Sequence, residues 1–266
     1  MAQALVLLVC AALGAAHFVW GPTRPVKIGV ALLVVGVAGG LTAYTGQADA
    51  LGLVAVVLGV SVVAMSAAVL MHRLPIEKSL APVDVSSCPR YGRKKLDEWT
   101  RGFESLGFSH RGDYESPWRF AGQTRRAFIR FLSHHSRTTW VEIHVLDEPK
   151  IAARLMASRT REGVYLPTVD RQANEEFFRD PQTHVVRVRS AATCAEMLRR
   201  HEDRAVEPNG SPIVVEDPPS LHLEIYNGWI GRLLRSRQLA ASGSSARIPI
   251  GHVLGAVFRV MAAWFH

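Results

Sequence analysis

Only three charged residues, Arg24, Lys27 and Asp49, precede His72, and this shortage of charge constrains the chain more than any other feature. Residues 4–20, 28–44 and 51–71 contain no Asp, Glu, Lys or Arg. At about 1.5 Å of rise per residue, each stretch suits a helix crossing a bilayer core of about 30 Å. With no charge at the centre to oppose insertion, the pattern predicts a three-helix transmembrane hairpin over residues 1–71. A cleaved signal peptide is the competing reading of the first stretch, but it lacks a basic start and a second apolar stretch follows directly.

Loop charge sets the expected orientation. The first connection carries Arg24 and Lys27 and the second only Asp49, while Arg73, Lys78, Arg90, Arg93, Lys94 and Lys95 follow the third stretch. Basic loops stay in the cytoplasm, so the sequence predicts an inner-membrane protein with its N-terminus outside and its main domain cytoplasmic. Gly36 and Gly40, and Ala55 and Gly59, are spaced for close helix packing. Polar groups inside these stretches are few, and His17, Thr42 and Ser61 are mild exceptions rather than a transport relay, so these helices read as an anchor.

Beyond a linker at residues 72–86, the region 87–240 has alternating and amphipathic patterns and enough length for its own core. Leu96, Trp99, Phe103 and Leu106 recur at helical spacing, and Gly107 stands where a helix ends. Residues 127–132 and 139–146 read as a hairpin, with Val141, Ile143 and Val145 on one face and Trp140, Glu142, His144 and Leu146 on the other. Residues 155–158 and 164–168 flank a turn at Gly163, and a strand follows at 184–189. Ser190, or Thr193 with Glu196 as a capping box, starts a helix to about residue 204. Asp217-Pro218-Pro219-Ser220 starts another to about 239. The order predicts an α+β fold, an antiparallel sheet with flanking helices on one face.

Leu106-Gly107-Phe108, Trp140-Val141-Glu142-Ile143 and the run from Ser158 through Gly163 to Thr168 resemble the cytosolic part of bacterial inner-membrane proteins of unknown function. The resemblance covers about the middle third of the chain. It implies a location and a fold, and it carries over no functional residue.

The sequence has no phosphate-binding loop, no dinucleotide fingerprint, no HExxH and no GxSxG. Cys10, Cys88 and Cys194 are widely separated and suggest neither a disulfide framework nor a thiolate zinc site. His134, His135, Glu142 and His144 are the candidate metal ligands, set against a plain polar sheet face; no cofactor is predicted. Arg125 with Arg126, Arg159 with Arg161, and Arg187 with Arg189 invite a nucleic-acid reading, but no aromatic recognition motif accompanies them, and no nucleic-acid partner is predicted.

After Glu224 the chain has Arg232, Arg235, Arg237, Arg247 and Arg259 and no acidic residue. Past a second linker at 241–250, residues 251–266 place His252, Arg259 and His266 along one stripe of an apolar helix containing Trp264. Those five arginines with Trp264 are the expected membrane-surface residues, meeting anionic lipid headgroups. A fourth span and a helix docked on the domain are the alternatives. Two functions follow as expectations: a membrane-anchored domain binding a protein or lipid partner, or a membrane-tethered enzyme or small-ligand sensor. A pocket joining His144, Glu142 and Arg159 favours the second; a flat surface favours the first.

Overall fold

The computed structural model describes residues 74–120, 123–147, 150–170, 178, 180–206, 209–249, 251–253 and 255–256. The chain divides into two compact units, residues 1–72 with 248–258 and residues 73–247 with 259–266. In the first unit, residues 251–253 and 255–256 are helical; the remainder of the helix expected over 251–266 lies outside the described residues. The elements below belong to the second.

Among the described residues no helix is long and apolar enough to cross a membrane. This corrects the fold class read from the sequence: a three-helix transmembrane hairpin does not define the described architecture, and the multi-pass inner-membrane placement, with the N-terminus outside and the domain cytoplasmic, falls with it. The stretches 4–20, 28–44 and 51–71 on which that reading rested lie outside the described residues. The longest described helix, 18 residues from Pro218 to Arg235, has His222, Glu224, Asn227, Arg232 and Arg235 among its apolar residues. Its apolar side is spent on a sheet.

Seven strands form that sheet in the order β2-β3-β4-β5-β6-β7-β8: Ala81–Pro82, Phe108–Phe120, Gln123–His134, Trp140–Leu146, Ile151–Arg159, Tyr165–Val169 and Val186–Arg187. Successive pairs are antiparallel through β7, and β8 then joins β7 in parallel. The sheet is therefore mixed, where a purely antiparallel one was expected. A separate three-stranded sheet joins β1 (Leu74–Pro75) to a hairpin of β9 (Ala240–Ser242) and β10 (Ser245–Arg247). The two predicted linkers thus supply strands. Gly243, at φ 61°, makes the tight turn between β9 and β10, a conformation open to glycine at little cost.

Helices cover both faces of the large sheet, again unlike the one-sided arrangement expected. On one face α1 (Arg90–Glu104) and α2 (Cys194–His201) bring Leu96, Phe103 and Met197 onto Phe128, Leu132, Val141, Ile143, Val145 and Met156. On the other, α3 (Pro218–Arg235) lays Leu221 and Ile225 over Ile129, Phe131, Trp140, Ala157 and Tyr165. Strand alternation produces this division, since successive side chains on β4 and β5 point to opposite faces and both sets are largely apolar. Thr193 and Glu196 form the capping box that starts α2, and the Asp217 side chain caps α3.

Candidate functional site

The four residues read as possible metal ligands separate onto two faces. Glu142 and His144 do share a face of β5, turned toward α3, and are joined by a hydrogen bond of 2.9 Å. His134 packs its ring on Phe108, in the core beneath α1, and on the neighbouring His135. Two strand residues three apart on β4 explain the split: Phe131, paired with Glu142, faces α3, and His134 therefore faces away. Among the described residues no group of three or more His, Cys, Asp or Glu is placed to hold a metal. Arg159 is paired with Glu224 at 2.7 Å, whereas Glu142 and His144 pair with each other.

The arginines assigned to a surface role are unequal. Arg232 is bound to the buried carboxylate of Asp180 at 2.8 Å, so that charge is spent inside the fold. Arg235, Arg237 and Arg247 are exposed, whereas Arg259 and Trp264 lie outside the described residues. Cys88 and Cys194 are free thiols, both pushed up by burial, Cys88 to about 11, which leaves them poor nucleophiles.

Glu142 is the centre of a buried polar network whose other members come from distant parts of the chain. Its carboxylate has no exposed surface and accepts from Trp140 Nε1 (3.0 Å), His144 Nε2 (2.9 Å) and His222 Nδ1 of α3 (2.7 Å). The far nitrogen of His222, Nε2, lies 2.7 Å from Nζ of Lys78, in the segment between β1 and β2. These contacts fix His222 as the tautomer that donates from Nδ1 and accepts at Nε2. Burial opposes charge on Glu142, but the two imidazoles beside it hold its carboxyl well below the usual range. Burial also pushes His222 below the ordinary histidine value, against the pull of Glu142. With every oxygen of Glu142 occupied and sealed, no reacting atom reaches it.

Among the described residues, an open concavity lies at the edge of the sheet where β2 covers β3. It is a recess of about 480 Å³ lined by residues that include Pro82, Val83, Val85, Tyr114, His110 and Asp113. A β-bulge builds its polar wall. The register passes from His110 opposite Leu132 to Gly112 opposite Phe131, which leaves Arg111 as the extra residue. In a regular strand, residues three apart face opposite sides, but the extra residue restores a common face. His110 Nε2 consequently meets Asp113 Oδ1 at 3.0 Å. Glycine suits position 112 because an added Cβ would lie 2.8 Å from the Tyr114 ring, at a φ of 155°.

Asp113 is held from behind by Arg130, whose Nε and Nη2 donate to its two oxygens at 2.8 and 2.7 Å, while Nη1 reaches Thr100 of α1 at 3.2 Å. Burial works to raise Asp113, and the hydrogen bonds from Arg130 and His110 outweigh it, so the carboxyl is held below its ordinary value. The side chain of Asp113 is 7% exposed and that of His110 45%. A buried, charge-balanced carboxylate therefore orients a ring that solvent reaches. With Nε2–H given to Asp113, neutral His110 keeps Nδ1 as an acceptor.

Comparison with family models, curated proteins and solved structures finds no match.

Proposed function

We propose that the unit of residues 73–247 is a small-ligand-binding module whose site is the recess along β2 and β3. The observation that carries this reading is the bulge at Arg111, which aligns His110 with Asp113 on the recess wall. Bulges cost ladder hydrogen bonds and are placed where a side chain has to be re-aimed. The volume falls in the range of small-molecule sites, and the lining sets apolar Pro82, Val83 and Val85 beside the polar Asp84, His110, Asp113, Tyr114 and Arg130. Pro82, Val83, Val85 and the Tyr114 ring supply a surface for a compact apolar body. Nδ1 of His110 supplies an acceptor for one hydroxyl or amino group on it. Of the two functions open from the sequence, this belongs with the ligand-sensing class, at a place the sequence did not indicate.

The test is a titration of the full chain with a panel of phenols and aryl amines, followed by ligand-observed NMR. Saturable binding that weakens about fivefold in His110→Phe supports the reading, the loss of one neutral hydrogen bond being worth about 1 kcal/mol. Equal affinities for the wild type and the variant, or no saturable binding, contradict it.

A further inference from the structure

The charged residues lining the recess are Asp84, Asp113 and Arg130, and they do not cancel. Arg130 Nε and Nη2 donate to the two oxygens of Asp113, and Nη1 reaches Thr100, so that pair is balanced within itself. Asp84 is left over, and with His110 neutral the lining bears one net negative charge. Asp84 is exposed and precedes a single 3-10 turn, Val85–Ser87, whose Ser86 backbone N–H donates to its Oδ1 at 2.8 Å. That hydrogen bond holds the Asp84 carboxyl below its ordinary value, and the carboxylate keeps acceptor capacity to spare. Arg93, a cation that also acts on Asp84, is engaged with backbone carbonyls, Nε with Cys88 at 3.1 Å and Nη2 with Ser86 at 2.6 Å.

We infer, resting on the recess as a ligand site, that it takes an organic ammonium: a protonated amine on a compact apolar body, with Asp84 as its counter-ion. Hydrogen-bonding capacity favours such a ligand. Asp84 and Nδ1 of neutral His110 can both accept, whereas the lining guanidinium has its donors turned to Asp113 and Thr100. A donor-rich ligand therefore suits this wall better than an acceptor-rich one.

Solvation points the same way. Val85, next to Asp84, is exposed although large and apolar, and Pro82 and Val83 line the recess with it. A hydrated metal ion gains nothing from such neighbours, whereas an ammonium on a hydrocarbon body covers them while its charged head stays in water at the rim. The Tyr114 ring lines the same recess, and an aromatic face attracts a cation. Because Asp84 is exposed, the charge pair adds modestly to affinity, about fivefold, and less as salt rises.

The experiment titrates the full chain at about pH 7.5, where an alkylamine is protonated, with three probes of similar size: phenethylamine (cationic), phenethyl alcohol (neutral) and phenylacetate (anionic). Affinities are read by ligand-observed NMR. The amine should bind about fivefold tighter than the alcohol and phenylacetate more weakly than either, and the amine's advantage should shrink in about 0.5 M sodium chloride. Asp84→Asn keeps the Oδ1 that accepts from Ser86, so it should bring the amine down to the affinity of the alcohol and leave the alcohol unchanged. Equal affinities for amine and alcohol in the wild type overturn the inference and leave the recess standing as a site for neutral ligands. A preference for the amine that survives Asp84→Asn, in a variant whose urea midpoint is unchanged, also overturns it. Saturable binding by none of the three overturns the recess as a ligand site, and the ammonium with it.

Discussion

Acidification should destabilise the fold through one histidine, His201, by an amount that follows from its surroundings. His201 closes α2 and is fully buried between β6 and β7, with Nε2 2.9 Å from Ser158 Oγ and Nδ1 2.9 Å from Thr168 Oγ1. Ser158 donates onward to the Thr138 carbonyl, so it accepts from Nε2–H, and Thr168 donates to Nδ1. This arrangement satisfies a neutral ring and has no place for a second ring proton. Burial accordingly pushes His201 from 6.5 down to about 4. The unfolded ring takes up a proton near 6.5 and the folded one only near 4, so in that window the unfolded state binds more protons and stability falls as pH falls. Between about pH 7.5 and 4.5 the linkage amounts to about 2.5 kcal/mol. His201→Gln keeps a donor and an acceptor but does not titrate, and the contributions of Glu142 and Asp113 are common to both proteins. Urea unfolding of the full chain, followed by tryptophan fluorescence, measures the stability difference between wild type and variant at both pH values. It should shift by about 2.5 kcal/mol in favour of the glutamine variant on acidification. A difference that stays constant refutes a buried neutral His201.

Arg154 and Asp170 form an ion pair of 2.7 Å in which both side chains are 2% exposed, and Arg154 also donates to the Ala192 carbonyl. Arg154→Leu strands that carboxylate, and urea midpoints should report a loss of about 3–5 kcal/mol. Gly92→Ala forces a methyl group onto the Val145 side chain where α1 crosses β5, so melting should show a loss of about 1–3 kcal/mol. Thr193→Ala removes the α2 cap and should cost about 1 kcal/mol, with faster amide exchange confined to the first turn of that helix.

The regular parts of the large sheet were legible because their patterns are local. Alternation along residues 139–146 assigned Val141, Ile143 and Val145 to one face and Glu142 and His144 to the other, and β5 has that division. Helical spacing of Leu96 and Phe103 located α1, and Gly107, at φ 87°, follows its end as expected. The Thr193 and Glu196 pair proved the true start of α2, in preference to Ser190. The recess wall and the Glu142 network were not legible, because each depends on something other than local spacing. His110 and Asp113 are three apart, a separation that places strand residues on opposite faces until a bulge intervenes. Gly112, an isolated glycine within the strand, was the available signal. Lys78 and His222 are 144 positions apart, and His222 and Glu142 are 80 apart. Only the antiparallel meander and the return of α3 over its second face join them. Helices on both faces were hidden for a related reason: β4 and β5 bury apolar residues on each side, which strict alternation of polar and apolar residues would not reveal.

The central claim is that the recess between β2 and β3 binds a small ligand through His110. Its most direct measurement is the set of imidazole resonances of the full chain, with histidine labelled in both ring nitrogens, during titration with a phenol from the binding panel. The Nδ1 and ring-proton signals of His110 should move progressively and saturate, while those of the buried His201 and His222 stay fixed. Shifts confined to other histidines, or a His110 ring unmoved at ligand saturation, would contradict the claim.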